Sequence, residues 1–419
     1  MMKLADGKLY ENHKVNWFHL FLCLFCISWL NGGFTAQFGI VNFVIFFGIF
    51  GLWFLMSFYH RAMRLPSSLL WLLVYALMLF LSSAFLDSIF NKYTYGAFYL
   101  IVMMCFTIYY KQEQFKQERK VIWFVYLMEI TVIALVTAIT CIRDPYVARV
   151  IAGGMGDNVS STNGLLVAKF DNVYAFALLV VFLLAIYSKM IYKKICIVIL
   201  AVLAICLYFV NFATALFITI LFIALMFILK KPSKVAIVSV IAVAFILIFR
   251  TLIADLMVFL AYNLNLTDFL SGKLLDIAAV LTKQDIAHDN TLVMRLGYSA
   301  DALKIFSRHP IIGIYGFTSY LDERVLLRDH NVWFDMLAYF GIVRIIPFLG
   351  FLGAWYKNNK AIFSKFKASP IAYVFILWII LGFLNPVNKQ SIQVFLFVLL
   401  PLSDVLFTKD EELENNVNS

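Results

Sequence analysis

The reactive side chains of this 419-residue chain are arginines and histidines gathered in or beside two hydrophilic stretches, 143–167 and 255–331, that interrupt long apolar runs. They are Arg143, Arg149, Arg250, Arg295, Arg308, Arg324 and Arg328, with His288, His309 and His330. A guanidinium presents a planar fork of donors that matches phosphate oxygens in pairs, so an arginine-rich pocket at a membrane surface suits a diphosphate-bearing lipid. A histidine, which titrates near neutrality, can take the proton of an attacking hydroxyl. A second set lies inside the apolar runs, where charge is costly. Glu129 sits mid-run and Arg344 deep in a late run, each compatible with a structural ion pair or a buried functional role. Asp171 and Asp335 lie near run ends, shallow enough to reach water and a cavity.

The elements that must position these groups follow from composition. At 63% hydrophobic and 14% charged, the chain falls outside the balance of a water-soluble domain. Twelve spans of about 20 residues would occupy roughly 240 positions, leaving connections and one sizeable extramembrane segment. The apolar runs fall at 16–30, 38–58, 67–89, 94–110, 121–142, 168–188, 194–209, 212–229, 234–254, 332–355, 370–384 and 391–407. The expectation is an all-α, polytopic integral membrane protein, residues 1–419 forming one membrane domain of about 12 transmembrane helices. The outer loop at 143–167 is rich in Gly, Asn and Ser. A large helical outer loop at 255–331 precedes the tenth span.

The net charge of +10 carries no nucleic-acid motif with it and reads as topology. Lys and Arg number 20 on one alternating set of loops and 5 on the other. Positive loops stay cytoplasmic, so both termini are expected there and 255–331 outside. Lys3, Lys8 and Lys14 precede a first run without a small-residue cleavage pattern, so that run reads as a retained span. The acidic tail KDEELENN reads as a solvated end. Cys23, Cys26, Cys105, Cys141, Cys196 and Cys206 lie in or at the edge of apolar runs, where thiols pack as small hydrophobes. No disulfide framework is expected, and the Cys23/Cys26 pair has no neighbouring His or second pair to complete a zinc site.

Within the large loop, LLDIAAVLTKQDI patterns as a short amphipathic helix. TLVMRLGYSADALKIFSRHP patterns as a second, with Leu292, Leu296, Leu303 and Phe306 at helical spacing. Pro310 stops it, and Gly313 and Gly316 make the next turn irregular. A loop this long and patterned is expected to be functional.

The stretch RLGYSADALKIFSRHPIIGIYGFTSY followed by DHNVWFDMLAYFGIV resembles the signature of the O-antigen ligase and polymerase family, the WaaL-like and Wzy-like membrane glycosyltransferases. The resemblance rests on Arg295, Ala300, Ala302, His309, Pro310, Gly313, Gly316, His330, Asn331 and Gly341 in that order. It implies metal-independent transfer of a glycan from a polyprenyl-diphosphate donor to an acceptor sugar hydroxyl on the outer face of the bacterial cytoplasmic membrane, with no cofactor. His330 would be the general base, and Arg295 would stabilise the departing diphosphate. Arg149, Arg250, Arg308, Arg328, His309, Asn331 and Asp335 are the candidates for binding diphosphate or glycan. Ligase-type members show a Ser-Arg at the start of a mid-chain span, where this chain reads NFATALF with Thr214 and Ala215. Arg149 and Arg250 are the alternatives for that missing arginine. The departure favours a polymerase of lipid-linked oligosaccharide repeat units over a ligase acting on a terminal acceptor. A lipid-linked oligosaccharide transporter or flippase is a further alternative, for which internal repeats and broken polar helices at the midplane would be expected. A chain-length regulator is a further expected partner.

Overall fold

Apolar runs too long to leave their backbone groups unpaired in lipid must satisfy them internally, and a helix does so within one segment. The computed structural model is accordingly helical, with no strand among the described residues and a single isolated bridge, Met190 to Phe407. It describes residues 15–31, 39–59, 65–86, 92–144, 147–148, 167–210, 212–264, 271–272, 274–275, 278, 291–315, 327, 331–364, 366, 369–383, 385 and 387–407. The helices are α1 (Trp17–Leu30), α2 (Gly39–Tyr59), α3 (Ser67–Leu86), α4 (Lys92–Tyr110), α5 (Lys116–Arg143), α6 (Phe170–Ile186) and α7 (Lys193–Phe209). They continue as α8 (Ala213–Leu229), α9 (Pro232–Ile248), α10 (Arg250–Asn263), α11 (Thr291–Arg308), α12 (Val332–Asn359), α13 (Pro370–Gly382) and α14 (Gln390–Val394). Among the described residues, four segments are long and apolar enough to cross a membrane: Tyr93–Tyr110, Glu113–Arg143, Asn172–Lys189 and Val332–Phe363. The other apolar helices are shorter, so the all-α membrane architecture stands while the count of twelve crossings is a finer matter.

The core forms around the C-terminal helix. α14 runs on through a π-helical turn, Phe395–Leu399, into a 3₁₀ segment, Leu400–Leu406, and Ile392 through Leu402 are buried. The apolar run Val394–Leu402 belongs in the interior, and α1, α4 and α6 enclose the segment. Pro401 has no N–H to offer the carbonyl four residues back, that of Phe397. The Thr107 hydroxyl of α4 donates to that carbonyl instead. All six cysteines are buried free thiols, as the apolar runs around them predicted.

One end of the bundle is tied by a buried cation. Arg119, 1% exposed, pairs with Asp404 at 2.9 Å and donates to the carbonyls of Tyr110 and Gln112. Lys111, in the α4–α5 connection, donates to the Asn358 carbonyl and the Asn359 side chain, and burial pulls its ammonium below the ordinary lysine range against the opposing pull of Asp404.

One boundary and one helix face differ from the sequence expectation. The run 234–254 is two helices, because Phe249 leaves helical geometry at φ −98°, ψ 25° between α9 and α10. The amphipathic helix of the large loop is observed as Thr291–Arg308; among its described side chains Ala302 and Ile305 are buried and Phe306 packs on the core, as its spacing predicted, while Leu303 is exposed. The helix packs against α12, and Ala302 is on its buried side where hydrophobic spacing alone pointed to Leu303. The expected helix LLDIAAVLTKQDI lies mostly outside the described residues, as does most of the loop 143–167.

Candidate functional site

The two halves of the motif, α11 and the start of α12, are joined by a backbone exchange. In an unbroken helix the N–H groups of Ile342 and Val343 would bond the carbonyls of Ala338 and Tyr339. Here α12 opens at Gly341, whose φ 61°, ψ −178° lies in territory that only glycine occupies at low cost. The turn that follows Pro310 fills the gap. Ile314 and Tyr315 donate to the carbonyls of Ala338 and Tyr339 at 3.1 and 2.8 Å, while Ile342 and Val343 donate to those of Pro310 and Ile311 at 2.9 and 3.0 Å. All four backbone groups released by the break are thus paired again. Gly313, at φ 71°, faces Gly341 across this splice, and a Cβ on either would strike the backbone of the other strand of the exchange.

Arg344 completes the splice. Buried one turn beyond the break, it donates to the carbonyls of Ile312 and Tyr315 at 2.8 and 2.9 Å and lies over the Tyr315 ring. Tyr315 in turn meets the Thr94 hydroxyl of α4 at 3.2 Å. Arg344 makes no ion pair among the described residues; its guanidinium is a clamp on two carbonyls. Glu129 likewise makes no ion pair among the described residues; its carboxylate receives the Ser28 hydroxyl at 3.0 Å.

Asn331 governs the start of α12. Its Oδ1 caps the helix by accepting from Phe334 N at 3.2 Å, a satisfied N-cap. Its Nδ2 donates to the Phe383 carbonyl at 2.7 Å and to Ser299 Oγ on α11 at 3.2 Å. Its own N–H points to Asp335 Oδ2 at 3.4 Å. Trp333 adds a donation to the Ile379 carbonyl at 2.8 Å, with its indole laid on Gly382 and edge-on to Trp378. Three elements, α11, α12 and the end of α13, therefore meet at the residue that follows His330.

Next to this junction is a small hollow lined by Tyr93, Val332, Asp335, Met336, Tyr339 and Asn388. Asp335 is 4% exposed, so the hollow sets a buried carboxylate beside two tyrosines and an amide. The Tyr93 and Tyr339 rings stand 4.9 Å apart, and Tyr315 and Phe340 extend the aromatic cluster. The surface that this lining offers is chiefly apolar, the faces and edges of rings.

The structure distributes the predicted residues unevenly. Asn331 and Asp335 sit together in the junction, and His309 adjoins the splice, accepting Gly313 N at 3.0 Å through its carbonyl. Arg308 is exposed at the end of α11. Arg295 and Arg250 lie in the helices α11 and α10, and their side chains, like that of Asp171, are outside the described set. His330, Arg149 and Arg328 lie outside the described residues, as do Arg324 and His288. Ser299, however, is one helical turn after Arg295, so position 295 occupies the face of α11 that meets Asn331. Sequence reasoning missed Tyr93, Tyr339, Ser299 and Asn388; tyrosines in apolar runs and single amides in short connections give no pattern to find. Among the described residues no three His, Cys, Asp or Glu side chains converge as a metal-ligand set. Compared with known proteins, the chain matches no family model and no curated sequence.

Proposed function

We propose that the chain is a polymerase of lipid-linked oligosaccharide repeat units in the bacterial cytoplasmic membrane, working on the outer face. The observation that carries the reading is the Asn331–Ser299 contact. It joins Ser299, one helical turn after Arg295, to the residue that follows His330, and Arg295 and His330 are the two positions to which the family resemblance assigns the chemistry. The excess of Lys and Arg on the opposite loops supports an outward orientation for this junction and cytoplasmic termini, with about twelve crossings in all.

In this mechanism the acceptor hydroxyl of a new lipid-linked unit loses its proton to His330 as its oxygen attacks the anomeric carbon of the growing chain. The bond from that carbon to the polyprenyl diphosphate breaks, and the diphosphate leaves with the electron pair. Arg295 stabilises the charge, and the outer arginines Arg149, Arg250, Arg308 and Arg328 are candidates to share it. Asn331 acts by positioning, since both ends of its amide are engaged within the chain.

The break in α12 bears on the transporter alternative. Transporters leave unwound backbone open to the cargo, whereas here the freed groups at residues 338, 339, 342 and 343 bond the chain's own turn. The test is His330→Ala in a strain lacking the native copy. The variant is expected at normal abundance in the membrane, with long polymer lost and single-unit glycans still at the surface. Normal chain-length ladders would overturn the general-base assignment. Accumulation of long lipid-linked polymer would point to a ligase.

A further inference from the structure

α11 and the turn that follows it run alongside α12 in the same direction. At the upper end Ser299 meets Asn331, the cap of α12. At the lower end the carbonyls of Pro310 and Ile311 accept from Ile342 and Val343. The intervals 299–310 and 331–342 are both 11 residues, so the two segments keep step as they descend. α12 is one of the segments long and apolar enough to cross a membrane, and Lys357 is exposed near its far end. A span of about 20 residues counted back from Lys357 reaches the hydrocarbon boundary near position 337. At 1.5 Å per residue, the level of residues 341–343 then lies about 6–9 Å inside that boundary. The Pro310 turn is bonded at this level, although its sequence belongs to a stretch expected outside the membrane.

The exposed side chains fit this depth. α11 turns Ala302 and Ile305 inward and presents Leu303, Lys304, Ser307 and Arg308 on the opposite stripe. Below the stripe Ile311 and Ile312 are 64% and 48% exposed, and the exposed Ile342, Val343 and Ile346 of α12 continue the apolar surface. Lys304 keeps step with position 336, at the boundary itself. Helical side chains tilt toward the N-terminus of their helix, which for α11 is the upper end, so Lys304 and Arg308 lean toward headgroups with their stems on apolar surface. Irregular backbone is tolerated at membrane depth only where the protein satisfies it, and the exchange with α12 does so. We infer that α11 from Ser299 onward and the Pro310 turn form a re-entrant segment seated in one leaflet of the bilayer. Leu303, Ile311 and Ile312 contact acyl chains, and Lys304 and Arg308 reach phospholipid phosphates. The leaflet is the outer one in the orientation proposed above; the depth does not rest on the polymerase reading. The exposed Leu303 thereby has an apolar partner, lipid, in place of the protein core.

The experiment places single spin labels in the full-length protein, reconstituted in vesicles of phosphatidylethanolamine and phosphatidylglycerol. Ala300→Cys, Lys304→Cys, Ile311→Cys and Ile312→Cys supply the sites, all at exposed positions. The six native cysteines are buried, and wild-type protein carried through the same labelling is the blank. Power saturation is measured with oxygen, which concentrates among acyl chains, and with a nickel chelate, which stays in water. Position 300 keeps step with 332, about 8 Å above the boundary, and its label is expected to favour nickel. The label at 304 is expected at the headgroup level, and those at 311 and 312 are expected to favour oxygen, about 10 Å deeper than 304. Each labelled variant is read against the wild-type rate of thermal inactivation in detergent, and Ile312→Cys stands in if Ile311→Cys is unstable. Nickel contact at 311 and 312 equal to that at 300 would overturn the re-entrant segment. Low contact with both reagents would overturn it too, because protein rather than lipid would then cover the isoleucines. The depth profile is read without activity, so a protein that forms no polymer yet shows this gradient would overturn the polymerase reading and keep the segment.

Discussion

Replacing Gly341 by alanine tests whether the splice between α12 and the Pro310 turn holds the site together. A side chain at φ 61°, ψ −178° costs about 1–3 kcal/mol in backbone strain. The new Cβ would also lie within 2.5 Å of Gly313 N and the Ile311 carbonyl oxygen, both backbone atoms that cannot rotate away. Relief by separation adds about 1–3 kcal/mol, the usual scale of overpacking. The sum, about 2–6 kcal/mol, is comparable to the four exchanged hydrogen bonds at about 0.5–1.5 kcal/mol each. Opening of the splice is therefore the expected response. Gly353 lies further along α12 with nothing within 4 Å of its would-be Cβ, so Gly353→Ala is the internal control. It is expected to be neutral or to stabilise by about 0.5–1 kcal/mol, since alanine is the better helix former. Thermal inactivation rates in detergent, together with proteolysis of the 310–315 turn, give the comparison, because membrane proteins rarely unfold reversibly. Gly341→Ala should inactivate markedly faster and expose the turn. Equal rates for Gly341→Ala and wild type, or equal losses for Gly341→Ala and Gly353→Ala, would refute the splice as the source of rigidity.

Two other perturbations probe separate links of the same chain of support. Asn331→Ala removes a cap and two donations and is expected to cost about 2–4 kcal/mol. Asn331→Asp should not rescue it, since it keeps the cap oxygen, loses both donations and adds charge one turn from Asp335; a wild-type melting temperature for either variant would contradict the clamp. Thr107→Val leaves the Phe397 carbonyl without its donor opposite Pro401 and should destabilise by about 1–3 kcal/mol. Thr107→Ser, which restores the hydroxyl, should recover most of the loss by differential scanning fluorimetry, and failure to recover would shift the explanation to the lost packing of the methyl group.

Much of this was legible in the sequence where a local rule acts alone. Pro310 ends α11 because it cannot extend a helix, and the amphipathic spacing placed that helix over nearly its observed length. The cysteines sit buried because they lie in apolar runs. The candidate site was legible in part: Asn331 and Asp335 stand together, while the tyrosines and Asn388 that complete the hollow came from distant apolar segments without a distinguishing period.

What composition and spacing determined by themselves was the class of element: uncharged runs in a chain this apolar must be helices, since lipid offers no partner for a free peptide group. Which face of each helix turns inward was a different matter. A run apolar on all sides, such as Val394–Leu402, carries no moment to read, and an amphipathic pattern does not name its partner, so the burial of that run, the enclosure of Asn331 and the register of α11 on α12 waited on packing. The break at Gly341 is the clearest case. The run 332–355 reads as one unbroken span, and glycine is ordinary in such spans. Only the arrival of the Pro310 turn, with its own donors and acceptors and the Arg344 guanidinium behind them, makes the broken form satisfied, because a helix can release its hydrogen bonds only where another part of the chain supplies replacements.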